Sequence, residues 1–186
     1  MFIQTEDTPN PDTLKFLPGQ DVLPGGSADF RSDEAAQASP LAERLFRITG
    51  VAGVYFGADF IAVTKQGTQW QHIKPAILGA IMEHFTSGAP LLTEGASPEA
   101  GHGDYEGEDA EVVEQIIELL NTRVRPAVAN DGGDITFKGW DGKSGTVFLN
   151  MRGSCAGCPS STMTLKAGIE RLLKHYVPEV MAVEPA

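Results

Sequence analysis

Between Ser87 and Asp109 the chain contains little that a core could use: glycine, proline, serine and acids dominate, and the few aliphatic residues show no periodicity. Such a stretch buries too little apolar surface to offset the entropy lost on ordering it. It therefore divides the 186 residues into two parts, each long enough for a small domain with a modest core. The expected fold class is α/β in the α+β sense: two small mixed domains at residues 1–87 and 109–186, joined by a flexible acidic linker at 88–108. No Lys or Arg occurs from Pro75 through Thr122. The formal charge of −11 thus gathers in the connector and the start of the next helix, where a solvated, self-repelling tether is expected rather than a docking tail. The charge argues against nucleic acid, whose phosphates reward basic faces, and against anionic membrane surfaces. No apolar run approaches the length of a bilayer span.

In the first part, Phe2–Thr5 and Thr13–Leu17 read as short strands around Thr8-Pro9-Asn10-Pro11-Asp12, a turn by composition. Leu41, Leu45 and Ile48 recur at helical spacing behind Ser39 as N-cap and Pro40 at the first helical position. Val51–Phe56 and Phe60–Thr64 flank Gly57-Ala58-Asp59 and predict a hairpin. Ile73, Ile77, Ile81 and Phe85 mark one amphipathic helix from about Trp70 to Phe85. The second part restarts with Glu108, Asp109 and Glu111 ahead of Val113, Ile116, Ile117, Leu120 and Val124, a helix with acids at its positive end and Arg123 and Arg125 at the other. Pro126 is expected to bend or end it. Asn130-Asp131-Gly132-Gly133-Asp134 is a turn, Ile135–Trp140 and Thr146–Met151 form a second hairpin, and a last helix stops before Pro178. Met181-Ala182-Val183 suggests a final short strand.

The chain has two cysteines, three residues apart, in Gly153-Ser154-Cys155-Ala156-Gly157-Cys158-Pro159-Ser160-Ser161. They fall between a strand end and a helix start. Two intervening residues let a loop aim both sulfurs at one centre, and the helix start supplies N–H groups that favour thiolates. Pro159 suits a first helical turn, and Gly153 and Gly157 let backbone amides come close to the sulfurs. Arg152, Lys166, Arg171 and Lys174 outnumber Glu170 here, a locally basic patch on an acidic chain. Two thiolates are half of what a tetrahedral zinc or an iron–sulfur cluster takes. Three chemistries fit: a thioredoxin-type dithiol, zinc shared between two chains, or an iron–sulfur cluster shared the same way. The dithiol reading has the right strand-to-helix setting. Against it stand the short C-terminal part and Ser154 where an aromatic residue usually precedes the first cysteine. Two idle thiols are the bland alternative.

Asp131-Gly132-Gly133-Asp134, a strand hairpin and then the cysteine loop resemble the C-terminal domain of NifU and of the Nfu iron–sulfur carriers. Ile117-Glu118 and Arg125-Pro126 upstream are similar too. The opening from Phe2 to Phe16 resembles the separate N-terminal domain of Nfu proteins. The resemblance covers nearly the whole chain apart from the linker. It implies a non-enzymatic scaffold or carrier that binds an iron–sulfur cluster, most often [4Fe–4S], between two subunits through Cys155 and Cys158. It further implies a homodimer when cluster-bound, upstream assembly proteins as donors, and recipient apo iron–sulfur proteins as partners. The runner-up is an enzyme, a dithiol–disulfide oxidoreductase using the same two cysteines.

Several other residues carry weaker signals. The Asp131 and Asp134 carboxylates suit a helix-to-strand turn better than an acid–base pair. His72, His84, His102 and His175 have no His or Cys at ligand spacing, so surface or core packing is the expectation for each. Trp70 and Trp140 read as core or rim aromatics. Arg152 and Lys166 are candidates to contact a cluster or steer acidic partners, and equally plain solvated charges. The N-terminus shows neither a secretory signal nor the Arg- and Ser-rich look of a transit peptide, so a reducing bacterial cytoplasm is expected, or the mitochondrial matrix for a processed eukaryotic form.

Overall fold

A computed structural model describes the chain except Met1, Gly25 and residues 94–104 and 156–158, together with the side chains of residues 159–162. It divides into two compact units, Met1–Glu99 and Ala100–Ala186.

The first unit is a five-stranded antiparallel sheet with helices on one face. Its strands are β1 (Gln4–Asp7), β2 (Thr13–Leu17), β3 (Ala28–Phe30), β4 (Val51–Phe56) and β5 (Ile61–Lys65), in the order β1-β2-β5-β4-β3. Period-two alternation decides which face is apolar. Phe16, Ile61 and Phe56 share one row across the sheet, and Leu14, Val63 and Val54 share the next. Both rows are buried in one cluster with Leu41 and Leu45 of α2 (Pro40–Phe46) and Ile73, Ile77 and Ile81 of α3 (Trp70–Ser87). Each such side chain contributes about 1.5–3 kcal/mol on leaving water. The Ser39 hydroxyl caps α2 by accepting from the Ala42 N–H, with Pro40 in the first turn as the sequence suggests. Strand β3 and the one-turn α1 (Asp33–Ala36) were not foreseen; three residues and four are too few for any period to show.

The Thr8–Thr13 turn explains the Thr-Pro-Asn-Pro-Asp run. The Thr8 hydroxyl lies 2.8 Å from the carbonyls of both Asn10 and Thr13, and accepts from the Asn10 N–H at 3.2 Å. The Asn10 side-chain oxygen accepts from the Asp12 N–H, and the Trp70 indole donates to the Pro11 carbonyl. Lys65 pairs with Asp12 at 2.8 Å. The turn is thus tied to β5 and to the start of α3.

The second unit carries β6 (Gly133–Asp141), β7 (Thr146–Gly153) and β8 (Ala182–Pro185) in that order. The first two form the expected hairpin, with a bulge between Phe137 and Gly139. Strand β8 runs parallel to β7, which requires a crossover, supplied by α6 (Pro159–Tyr176). The core joins Val113 and Ile116 of α4 (Glu108–Leu119) to Ile135, Val147, Leu149, Ile169, Leu173 and Val183.

Two expectations take a more definite form. Pro126 does not end the helix begun at Glu108. The chain passes through a π turn (Leu120–Val124) and continues as α5 (Arg125–Asn130). In the π turn the Arg125 N–H reaches back five residues to the Leu120 carbonyl. Pro126 then falls in the first turn of α5, where a missing N–H costs little. Both ends of the stretch read as linker are also packed. Leu91 and Leu92 lie against the first core, and the Thr93 N–H donates to the Ala38 carbonyl at 2.9 Å. Tyr105 packs against the second core, with its hydroxyl accepting from the Trp140 N–H. Residues 94–104, including His102, lie outside the described residues. Among the described residues no helix is long and apolar enough to cross a membrane.

Candidate functional site

Strand β7 delivers Cys155 to the site. It ends at Gly153, whose φ of +60° turns the chain sharply. The next two residues are stitched to the α5–β6 turn and to β7 itself. The Ser154 N–H donates to the Gly132 carbonyl at 3.1 Å, the Ser154 hydroxyl to the Asp131 carbonyl at 2.5 Å, and the Cys155 N–H to the Arg152 carbonyl at 3.3 Å. Cys155 is only 6% exposed. Cys158, with Ala156 and Gly157, lies outside the described residues. Helix α6 then opens at Pro159, as its missing N–H leads one to expect.

The Asp131-Gly132-Gly133-Asp134 run is where the structure adds most. The turn reading holds. Asp131 and Gly132 donate their N–H groups to the carbonyls of Val128 and Ala129, closing α5, and Gly132 takes a φ of +76°. Gly133 has no such φ and needs to be glycine for another reason. A Cβ built on it would sit 2.4 Å from the Cys155 sulfur and 3.0 Å from the Ser154 hydroxyl. The backbone of Gly133 therefore forms a shelf that the sulfur rests on. Asp134 is no acid–base partner. Its two oxygens lie 2.8 and 3.0 Å from the Nε and Nη2 of Arg125, and one also accepts from the Ile135 N–H.

Neither the shelf nor the Arg125–Asp134 pair was assigned from the sequence. One signal was present: a turn of this kind needs one left-handed glycine, and the chain supplies two.

The basic patch is less free than its composition suggests. Lys166 pairs with Glu184 at 3.0 Å and Lys174 with Glu170 at 2.7 Å. The Lys174 hydrogen bond, seconded by the Val183 N–H, holds the Glu170 carboxyl below its ordinary value. Arg152 is buried opposite Asp134 in the β6–β7 register. Of the described histidines, His84 is buried in the first unit, while His72 and His175 are exposed. Trp140 lies in the second core and Trp70 at the edge of the first. Among the described residues no group of three or more His, Cys, Asp or Glu side chains comes together to hold a metal ion. What the loop offers is a sulfur just past a strand end, set against Gly133, that a soft metal can use once other donors join it.

Two family descriptions match the chain, "Scaffold protein Nfu/NifU N terminal" over residues 3–88 and "NifU-like domain" over residues 116–184. A human protein named "NFU1 iron-sulfur cluster scaffold homolog, mitochondrial" is 53% identical over 187 residues, covering 99% of this chain and 71% of that protein. This chain belongs to the Nfu/NifU-like family. A Drosophila erecta relative of the same name is 53% identical over 99% of the chain, and "NifU-like protein 4, mitochondrial" of Arabidopsis thaliana is 50% identical over 99%. The chain spans 64% of the length of the fly relative and 65% of the plant one. The solution NMR structure of a NifU-like protein from Saccharomyces cerevisiae aligns at 26% identity and a TM-score of 0.46, over 50% of this chain and 86% of that one. Within the Nfu/NifU-like frame, Gly133 and Cys155 both fall in the NifU-like match and the Thr8–Thr13 turn in the other.

Proposed function

We propose that this chain is an iron–sulfur cluster scaffold or carrier, with Cys155 and Cys158 as its ligands and a [4Fe–4S] cluster as cargo held between two copies. The observation that carries the reading is the glycine shelf under the Cys155 sulfur. A thiol crowded so closely by backbone has its position fixed, which is what a ligand shared across a molecular boundary requires. Support for the cargo comes from the names of the human and fly relatives, which are called iron–sulfur cluster scaffold homologues. With two thiolates from each copy, four donors complete the cluster. Such a cluster is released when a recipient's thiolates displace those donors and the copies part, so the chain hands on its cargo without catalysing a reaction of its own. Recipient apo iron–sulfur proteins and upstream assembly proteins are the partners. A reducing compartment suits the thiolates. The relatives compared are mitochondrial by name and lend no support to the bacterial cytoplasm favoured from the sequence.

Anaerobic reconstitution with ferrous iron and sulfide tests this. The expected product is brown, holds about two irons per chain and migrates as a dimer. Substituting Cys155→Ser or Cys158→Ser abolishes iron uptake while far-UV circular dichroism is unchanged. A colourless chain that turns over disulfides catalytically would instead establish the dithiol oxidoreductase, which the strand-to-helix setting of the two cysteines also fits.

A further inference from the structure

The turn beneath Cys155 is already closed by backbone hydrogen bonds from Asp131 and Gly132, yet a charged pair sits beside it, its carboxylate buried and its guanidinium 34% exposed. Asp134 is 3% exposed, and the Arg125 fork engages both of its oxygens. With the carboxylate desolvated and the guanidinium partly screened by water, such a pair is a poor source of net stability; fixing one geometry is its better attested use. Arg125 reaches Asp134 through the π turn. The five-residue hydrogen bond to Leu120 inserts one residue into the helix and so rotates all that follows by about 100° relative to a continuous α-helix. The Nη1 of Arg125 donates back across that turn to the Asn121 side-chain oxygen at 3.1 Å. Asp134 directly follows Gly133, the residue against the sulfur.

We infer that Arg125 and Asp134, keyed by the π turn, are positioning residues that hold the Gly133 shelf and through it set the Cys155 sulfur. This rests on the reading of Cys155 as a ligand, but its test does not need a cluster. In the full chain carrying Cys158→Ser, the one remaining thiol is Cys155, and its rate of reaction with an aromatic disulfide reagent at fixed pH reports how firmly it is held. Arg125→Met keeps the apolar stem, and Arg125→Lys keeps the charge but loses the fork. Both are expected to raise the rate by about tenfold or more, as local opening becomes easier. Val183→Ala, a core truncation in β8 away from the turn, serves as a control for general loosening of the unit, matched by its denaturation midpoint. A Cys155 rate that stays at the parent value in the Arg125 variants, or rises no more than in Val183→Ala, overturns the inference. Where Arg125→Met does not fold, Arg125→Lys decides. With Cys158 restored, Arg125→Lys is expected to lower iron per chain and alter the visible circular dichroism of the reconstituted cluster, whereas the Val183→Ala control keeps the parent spectrum. Should the parent chain take no cluster, the scaffold reading falls while the thiol rates still judge the positioning role.

Discussion

Thr8 and Asn10 in the first unit, and Arg125 and Asp134 in the second, each hold a turn that feeds a strand of a sheet. The two turns differ in what they leave over. Around Thr8–Thr13 the contacts run back into the same unit: hydroxyl to carbonyl, amide to side-chain oxygen, Lys65 to Asp12, indole to Pro11. These contacts converge on the turn itself. Around Asp131–Asp134 the same kinds of contact end on a sulfur, because the Ser154 amide and hydroxyl are sewn to the turn and Gly133 gives the neighbouring thiol its space. A closed polar network is architecture; one that terminates on a soft nucleophile is a candidate site. By this criterion the candidate site lies in the second unit, and the first unit's Thr-Pro-Asn-Pro-Asp run is explained as a turn.

The largest test of that division is a core truncation in each unit. Phe16 is fully buried in the first core and Leu149 in the second; Phe16→Ala should cost about 3–5 kcal/mol and Leu149→Ala about 2–5. The chain has two tryptophans, Trp70 in the first unit and Trp140 in the second, so single Trp→Phe variants give each unit its own fluorescence reporter. Phe16→Ala is expected to lower the urea midpoint seen by Trp70, leave that of Trp140 in place, and leave iron uptake intact. If Phe16→Ala shifts the Trp140 midpoint equally, the units do not stand alone and the comparison fails.

What the sequence told, and what it withheld, follows the range of the interactions. Period-two runs gave the strands on either side of Gly57 and of Gly142, and the four-residue spacing of Ile73, Ile77 and Ile81 gave α3, because those signals are local. The Ser39-Pro40 start of α2 was legible for the same reason. The parallel pairing of Val183 with Val147 was not, since it depends on where α6 returns the chain. The π turn left no mark either: Leu120 and Val124 fit an ordinary helical stripe. At the site, Cys155 stood out by scarcity and spacing. The contact of Gly133 with it spans twenty-two positions and could not be read from residue types; only the surplus glycine hinted at it.

A smaller effect sharpens the contrast between the turns. Thr8→Val removes the hydroxyl that lies between the Asn10 and Thr13 carbonyls and takes from the partly buried Asn10 N–H the oxygen it donates to, at a cost of about 1–3 kcal/mol. The reporter lies on that turn, since the Trp70 indole donates to Pro11. The Trp70 midpoint should fall, with the Cys155 thiol rate unchanged. A change in that rate would show that the first turn is not closed on itself.

The smallest effect is one of pH, the same in sign for both units but setting in at different pH. Burial, with the Arg44 guanidinium adding to it, holds His84 below its ordinary 6.5 in the folded first unit. The unfolded chain therefore takes up the proton first. The stabilisation is complete above pH 6.5 and drains away as pH falls from there toward the depressed folded value. In the second unit the shifted groups are carboxylates. Glu170 is lowered from 4.5 chiefly by Lys174, and Asp141 from 3.8 chiefly by the Ser144 hydroxyl. Their contributions persist above those values and fade only at lower pH. Between pH 6.5 and 4.5 the Trp70 midpoint should thus decline while that of Trp140 holds, and His84→Gln, which cannot take up a proton, should flatten the Trp70 trend. Parallel slopes for the two reporters over that interval, or a Trp70 slope unchanged by His84→Gln, would place the acid sensitivity elsewhere. The difference arises because the first unit buries an imidazole against a guanidinium, whereas the second keeps its shifted carboxylates near water, beside the hydrogen-bond partners that lower them.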